Sequence, residues 1–160
     1  MIYTMNLKNR KKYWGEPTWF LFHGIAANIN EEYYNKNYED CFSIITSICH
    51  ILPCPFCRKH AVDYLKKIKK QDINTKQKLI HFLYEFHNHA NKNSGNPLFD
   101  IEKLEMYNRI RMDKVMDLFV NRFYTTYYSF KVFDGWRRNK NKDFFYNWIK
   151  KHGKYIRVVY

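Results

Sequence analysis

The segment Pro53-Cys54-Pro55-Phe56-Cys57 decides both the local fold and the chemistry that this chain can support. Two cysteines with two residues between them can close a small disulfide or share a metal ion. Pro55 is favoured in the first turn of a helix, which puts Cys54 near the cap and Cys57 in the first turn. Free N–H groups and the positive end of the helix dipole stabilise a thiolate there. The segment therefore predicts a helix start that carries a reactive cysteine pair.

Two segments rich in aromatic, histidine and asparagine residues flank this pair. Trp14-Gly15-Glu16-Pro17-Thr18-Trp19 lies upstream and is followed by His23, and His87-Asn88-His89-Ala90-Asn91 lies downstream. Tryptophan rings stack on flat ring systems, while histidine and asparagine can hydrogen-bond to polar groups of a ligand. Together with the cysteine pair, these residues indicate redox chemistry beside a bound flavin. Taken alone, His23 or His87 is equally typical of a capped or core side chain.

Apolar residues recur at helical spacing through most of the chain. The pattern predicts helices over 17–29, 38–52, 55–68, 75–94 and 143–151, with a loop over 30–37, a stop at 94–97 and a break at 133–135. Helical spacing also resumes after Asp100. Only 5 Gly and 4 Pro are present, which argues against a β-rich or disordered chain. The predicted fold class is all-α: a four-helix bundle with a short fifth helix, followed by a helical, aromatic-rich C-terminal extension.

Composition limits the class of protein further. A chain of 160 residues fits one domain, or one domain with an extension. It has no run of 18 or more apolar residues, so we expect no membrane span. Residues 1–13 are basic but precede no apolar stretch that ends in small residues, so we expect no secretory signal and a cytoplasmic location.

The chain is strongly basic, with a formal net charge of +13. Residues 101–160 hold 14 Lys/Arg against 6 Asp/Glu, a net charge of +8. A basic surface can meet nucleic acid, acidic membranes or acidic proteins. Lysine- and asparagine-rich composition from AT-rich coding explains the charge equally well, and we do not expect nucleic acid as a partner.

The four cysteines allow two interpretations. Without a secretory signal, a metal site or a catalytic pair is more typical than a disulfide framework. A structural zinc site is the alternative, and its candidate ligands are Cys49, His50, Cys54, Cys57 and His60. Structural zinc sites usually draw a second ligand pair from farther along the chain, which argues against this alternative. Cys41 and Cys49 lie eight residues apart on one predicted helix, too far to pair, and we expect them in the core.

Three motifs, in order and at family spacing, make the chain resemble the Erv/ALR family of FAD-linked sulfhydryl oxidases. Trp19 and His23, preceded by Gly15, match the opening of the family's first helix, and the Cys-x-x-Cys pair after Pro53 matches its redox centre. The family's His-Asn-x-x-Asn motif, with its following Gly and Pro-x-Phe, is matched by His87, Asn88, Asn91, Gly95, Pro97 and Phe99. The resemblance covers about residues 13–108.

The resemblance implies a helical bundle that clasps FAD, and it implies a role for each matched residue. Cys57 would be the thiolate nearest the flavin, and Cys54 the exposed partner that substrate thiols attack. Electrons would pass from protein thiols to flavin and then to molecular oxygen, giving hydrogen peroxide. The remaining matched residues and their neighbours would bind the cofactor: Gly15, Thr18, Trp19, His23, His87, Asn88, Asn91 and Lys92.

Departures from the family pattern point to its viral-type branch. Ile101 stands where cellular members begin a late cysteine pair, and no cysteine follows Cys57. Asn28 replaces a tyrosine that is common near the end of the first helix, and Asn96 replaces the basic residue after the motif's glycine. The resemblance implies a homodimer in the host cytoplasm or the virion. Electrons would reach Cys54 without an internal cysteine shuttle, and a small thioredoxin-like protein would deliver them.

The predicted organisation is an oxidase domain over residues 1–108 and a helical extension over 109–160, for which we find no motif. The extension is rich in aromatic residues: Tyr124, Tyr127, Tyr128, Phe130, Phe133, Trp136 and Trp148. We expect these side chains in a core or a subunit interface rather than on a base-stacking surface. Two other functions stay open at this point, namely a zinc-stabilised basic nucleic-acid-binding module and a scaffold protein of a particle.

Overall fold

A computed structural model describes residues 6–126 and 132–158. The described chain is helical, with one isolated β-bridge between Ile29 and Ile156, which confirms the all-α prediction. Six α-helices follow one another: α1 Leu7–Asn28, α2 Glu31–Cys49, α3 Pro55–Leu65, α4 Lys76–Ser94, α5 Met112–Phe123 and α6 Val132–His152. Three 3₁₀ segments lie between or after them: Lys70–Asp72, Ile101–Arg109 and Gly153–Tyr155.

The start of α3 and both ends of α4 were predicted correctly, whereas α3 ends at Leu65 rather than at residue 68. Cys54 is the N-cap of α3 and Pro55 opens its first turn. Thr75 is the N-cap of α4, where its side chain accepts a hydrogen bond from the N–H of Lys78. Gly95 ends α4 with φ of 67°, a left-handed conformation that glycine adopts without steric cost.

The predicted start of α1 was wrong. The helix begins at Leu7, capped by the Asn6 side chain, and Pro17 lies in its interior. Pro17 has no N–H to donate to the helix, but the hydroxyl of Thr18 donates to the carbonyl of Trp14 at 2.7 Å. Packing of α1 against α4 and α5 holds the helix, so the missing hydrogen bond does not end it.

The bounds predicted for α2 and for the C-terminal helices were also wrong. Residues 31–37 form helix rather than loop, because Asn30 caps the N–H of Tyr33 and two glutamates follow in the first turn. Asn37 has non-helical φ and ψ, which leaves a kink, and α2 ends at Cys49 rather than at residue 52. The short fifth helix is the 3₁₀ segment Ile101–Arg109, and α6 runs through the predicted break at residues 133–135.

α1 is the element on which the others pack: α4, α5 and the Ile101–Arg109 segment contact it, while α6 packs on α2. One continuous apolar core joins these elements and includes Phe119, Phe123 and Phe145 together with Leu21 and Ile25. The division at residue 108 stays a prediction. No helix within residues 6–126 and 132–158 is long and apolar enough to cross a membrane.

The aromatic residues of the extension divide between the core and the surface. Tyr124 and Trp148 are buried in the core, as expected, whereas Trp136 is 52% exposed. Tyr127, Tyr128, Phe130 and the side chain of Phe133 lie outside the described part of the chain.

Candidate functional site

The redox candidate is a disulfide at the start of α3. Cys54 and Cys57 are joined, with their Cα atoms 5.2 Å apart. The Sγ of Cys54 also accepts the N–H of Cys57 at 3.2 Å, as an N-cap side chain does. The next residue, Arg58, donates from its guanidinium to the carbonyl of Leu52 at 3.0 and 3.1 Å. Both sulfurs therefore lie at the positive end of the α3 dipole, beside a permanent cation.

The prediction that Cys54 is the exposed cysteine of the pair was wrong. Cys54 is 8% exposed and belongs to the apolar core, whereas Cys57 is half-buried. Leu52, two residues earlier, is buried too. Tertiary packing explains the difference, because Cys54 belongs to the same apolar core as the buried residues of the other helices.

A cluster of stacked rings lies between α1 and α4. The rings of Trp19 and His87 are parallel within 7°, with centroids 4.1 Å apart. Phe99 lies against His87 at 4.5 Å, and Tyr107 lies against His23 at 4.8 Å. Three of the predicted cofactor residues thus meet in space, although His23 and His87 are 64 residues apart.

The two histidines of the cluster are linked and neutral. His23 Nε2 and His87 Nδ1 are 3.0 Å apart, so one nitrogen donates and the other accepts. Burial, and then the neighbouring His87, lower the pKa of His23 to about 3. Burial lowers the pKa of His87 to about 4. At neutral pH the pair therefore presents uncharged imidazoles, which suit the polar edge of a neutral ring system.

Asn88 holds the backbone of Phe99, whose ring packs on the cluster. Its side-chain oxygen accepts the N–H of Phe99 at 2.7 Å, and its amide nitrogen is 3.4 Å from the carbonyl of Phe99. Asn88 thus positions Phe99 on the histidine rings, a role that the sequence analysis did not assign. Tyr107 was also missed, because its residue type gives no signal; Phe99 could have been found from the Pro-x-Phe motif.

The remaining predicted cofactor residues differ in how they meet the cluster. A Cβ added to Gly15 would meet no atom within 4 Å, so the backbone of α1 faces open space there. Thr18 is buried and its hydroxyl is bound to the backbone, which makes it a support for α1. Asn91 is half-buried and Lys92 is exposed in the last turns of α4.

The chemistry of the residues fits a flat, polar-edged cofactor. Stacked aromatic faces and two neutral imidazoles supply ring contacts and hydrogen bonds. A cleft of about 300 Å³ adjoins His23 and Tyr107, and the half-buried Lys76 at the start of α4 lines it too. Its volume is at the lower end for ligand pockets, so it would take one part of a dinucleotide rather than the whole.

The ring cluster reaches α3 through a series of contacts. Tyr64 of α3 stacks on Phe86 at 5.0 Å, and Phe86 contacts Trp19 at 5.4 Å. Cys57 packs against the same core. The disulfide and the ring cluster therefore belong to one packed unit.

The other two cysteines are free and buried, as expected. Burial raises the pKa of Cys41 to about 12 and raises the pKa of Cys49 further, so neither thiol is reactive at neutral pH. Cys41 Sγ lies 3.7 Å from Nδ1 of His152, which links α2 to the end of α6. Among the described residues, no group of three or more His, Cys, Asp or Glu side chains is arranged to hold a metal ion.

Fold and site together define a helical thiol–disulfide redox protein with a cleft for a flat cofactor. The chain belongs to the Erv1/Alr family, because the model of that family matches residues 16–111. This match confirms the resemblance that the three motifs indicated. The helices α5 and α6 lie beyond the matched residues.

Relatives of the chain include viral and cellular proteins named as FAD-linked sulfhydryl oxidases. Protein 096R of Invertebrate iridescent virus 3 is 31% identical over 87 residues, which is 54% of this chain and 59% of that protein. Protein 347L of Invertebrate iridescent virus 6 is 31% identical over 91 residues, 53% of this chain and 82% of that protein. The mitochondrial ERV1 of Saccharomyces cerevisiae is 27% identical over 86 residues, 54% of this chain and 45% of that protein.

These matches span between about half and four fifths of the relatives' lengths. The viral relatives agree with the assignment to a viral-type branch. No solved structure matches the chain significantly.

Proposed function

We propose that this protein is an FAD-linked thiol oxidase that forms disulfide bonds in substrate proteins. The observation that supports the proposal most strongly is the Cys54–Cys57 disulfide at the start of α3, packed into one unit with the ring cluster. Three relatives carry names with the same activity and cofactor, which supports the proposal independently.

The cysteine pair supplies the exchange chemistry. A substrate thiolate attacks Sγ of Cys54, breaks the Cys54–Cys57 bond and forms a mixed disulfide. Cys57 leaves as a thiolate, and the first turn of α3 stabilises that charge through its free N–H groups and dipole. A second substrate thiolate then attacks the substrate sulfur of the mixed disulfide and releases Cys54. The substrate leaves with a new disulfide, and its two electrons stay on the reduced cysteine pair.

FAD is the cofactor that the ring cluster would hold. When bound, FAD accepts the two electrons that restore the Cys54–Cys57 disulfide and transfers them to oxygen, with hydrogen peroxide as the product. Trp19 and Phe99 offer aromatic faces, and the neutral His23–His87 pair offers one N–H and one acceptor to polar ring atoms. Asn91 and Lys92 are the proposed contacts to the rest of the cofactor.

The substrates and the assembly extend this proposal. We propose protein dithiols as substrates, with a small thioredoxin-like protein as the relay, and both proposals derive from the family resemblance. The homodimer, the host cytoplasm or virion as location, and the division into residues 1–108 and 109–160 are proposals that derive from the family resemblance.

The decisive experiment is a visible spectrum of the purified protein after incubation with FAD, with oxygen uptake recorded during addition of dithiothreitol. We expect a flavin band near 450 nm that bleaches with the thiol and recovers in air. Cys54→Ala and Cys57→Ser should each abolish oxygen uptake while the folded protein still binds FAD.

The chain offers a matched control for these variants. Cys49→Ala removes a buried, free thiol that has no part in the proposed chemistry, so oxygen uptake should persist. Folded protein that binds no FAD would overturn the proposal. So would oxygen uptake that survives loss of Cys57 but not loss of Cys49.

A further inference from the structure

Three arginines from two separate parts of the chain meet beside the redox disulfide. Arg58 of α3 and Arg137 and Arg138 of α6 line one cavity together with Pro53 and Asp134. All three arginine side chains are half-buried. We call this group of three the arginine surface.

Two members of the arginine surface hold the backbone that leads into the cysteine pair. Arg58 donates to the carbonyl of Leu52, and Arg137 reaches the carbonyl of His50 at 3.4 Å. Arg138 donates to the carbonyl of Thr126 at 3.1 Å, just before the start of α6. The segment that leads into Cys54 is therefore held by two cations, Arg58 and Arg137, and the second of them lies outside the family's matched region.

Charge and size at this cavity select a class of ligand. Three arginines and one acidic residue, Asp134, line the cavity, so its wall carries a net positive charge. The enclosed volume is about 30 Å³, which is room for one water-sized group and too little for a metabolite. A carboxylate at the end of a protein side chain meets both conditions. Carboxylates also accept hydrogen bonds from guanidinium groups more strongly than the neutral carbonyl oxygens that Arg58 and Arg137 now contact.

We propose that the arginine surface binds acidic side chains that flank the target cysteine of a protein substrate. The inference rests on the proposed thiol oxidase function and names its substrate class. Pro53 connects the cavity to Cys54, and Arg58 connects it to Cys57, so a carboxylate bound there lies a few residues from the reacting sulfur. Phe56, 55% exposed at the same helix start, supplies an apolar contact for the substrate chain.

Binding of a carboxylate to the arginines also loosens the segment that leads into Cys54. The carbonyl groups of Leu52 and His50 lose hydrogen bonds when the guanidinium groups turn to a stronger acceptor. An acidic substrate thus both binds to the arginine surface and opens the way to the buried sulfur. A neutral or basic dithiol does not bind there, and it reaches the sulfur only when the segment opens by itself.

The test uses the full-length, FAD-loaded protein and three synthetic dithiol peptides. They share one Cys-x-x-Cys core and differ only in whether Glu, Gln or Lys flanks it. Oxygen uptake gives kcat/KM for each, and we expect the acidic peptide to exceed the basic one by about tenfold or more at low salt. At about 1 M salt, where the Debye length is near 3 Å, the preference should shrink strongly.

Variants assign the preference to the arginine surface. Arg137→Gln combined with Arg138→Gln should reduce the ratio of acidic to basic peptide rates several-fold. Lys150→Gln with Lys154→Gln removes the same charge from exposed positions about 20 Å farther along the chain, and should keep the ratio. Dithiothreitol oxidation, recorded for every variant, measures the proposed oxidase activity itself.

The outcomes separate the two proposals. Equal rates for the three peptides with wild-type protein, alongside normal dithiothreitol oxidation, would overturn the arginine surface and leave the oxidase standing. An acid preference that follows Lys150 and Lys154 instead would overturn it as well, because the net charge would then explain the effect. No oxidation of any thiol would instead remove the proposed function.

Discussion

Gly15→Ala separates the stability of the helix from the shape of the cofactor cleft. Gly15 lies inside α1, where alanine is favoured over glycine by about 1 kcal/mol. The added methyl would meet no atom within 4 Å, so no steric cost offsets this gain. We therefore expect the FAD-free protein to become about 1 kcal/mol more stable, which is a rise of about 0.5 M in the urea midpoint.

The same methyl group should weaken FAD binding. If the open space at Gly15 belongs to the cofactor cleft, the methyl overfills it at a cost of about 1–3 kcal/mol, or about 5- to 150-fold in Kd. Titration of FAD into the cofactor-free protein, followed by flavin fluorescence, measures this change. The variant thus becomes a more stable protein that holds its cofactor less tightly.

Gly24→Ala is the matched control, since it makes the same chemical change in the same helix. Its methyl would lie 2.6 Å from Sδ of Met112 and 2.9 Å from Cδ1 of Ile110. Overpacking of about 2 kcal/mol outweighs the helix gain, so we expect a net loss of about 1 kcal/mol. Unchanged FAD affinity in a stabilised Gly15→Ala protein would refute the placement of Gly15 at the cofactor, and a stabilised Gly24→Ala would refute the packing argument.

Two further predictions concern the stability of the fold. Burial lowers the pKa of His23 to about 3, below the 6.5 of an exposed histidine. In mild acid the unfolded chain therefore binds more protons than the folded chain. Through this residue alone, the free energy of unfolding should fall by about 2 kcal/mol between pH 6.5 and 5. Urea titrations should show that His23→Gln flattens this fall, whereas an unchanged slope would contradict a neutral, buried His23. Asn28→Ala should cost about 1–3 kcal/mol, because the buried amide donates to the carbonyl of Tyr107 at 2.8 Å and accepts from Arg157 at 3.2 Å. The exposed Asn37→Ala should change the urea midpoint little, and similar losses for both variants would argue against the buried network.

The parts of the fold that the sequence predicted correctly are those with local causes. Pro55 and Thr75 begin helices because a missing N–H or a side-chain acceptor acts within one turn. Gly95 ends α4 because the left-handed conformation is a property of that single residue. The candidate site could be predicted for a related reason, since each of its three motifs is a short local pattern on a helix that the sequence had already indicated.

The parts that the sequence did not predict have causes distant in the chain. Pro17 remains inside α1 because the helix is held by packing on α4 and α5, which a local stop signal does not register. Tyr107 reaches His23 because the Ile101–Arg109 segment folds back on α1 and is tied there by Asn28. The burial of Cys54 likewise depends on its tertiary surroundings, so no spacing of the two cysteines could indicate which is exposed.

The proposed chemistry is divided between the ring cluster and the arginine surface. The ring cluster is built from residues within the family's matched region, whereas α6, beyond that region, contributes Arg137 and Arg138 to the arginine surface. The ring cluster consists of stacked rings that tolerate little change in volume. The arginine surface consists of half-buried charges, whose exchange costs the fold much less. Substrate preference can therefore diverge through the C-terminal helices while the redox centre and its cofactor cleft stay the same.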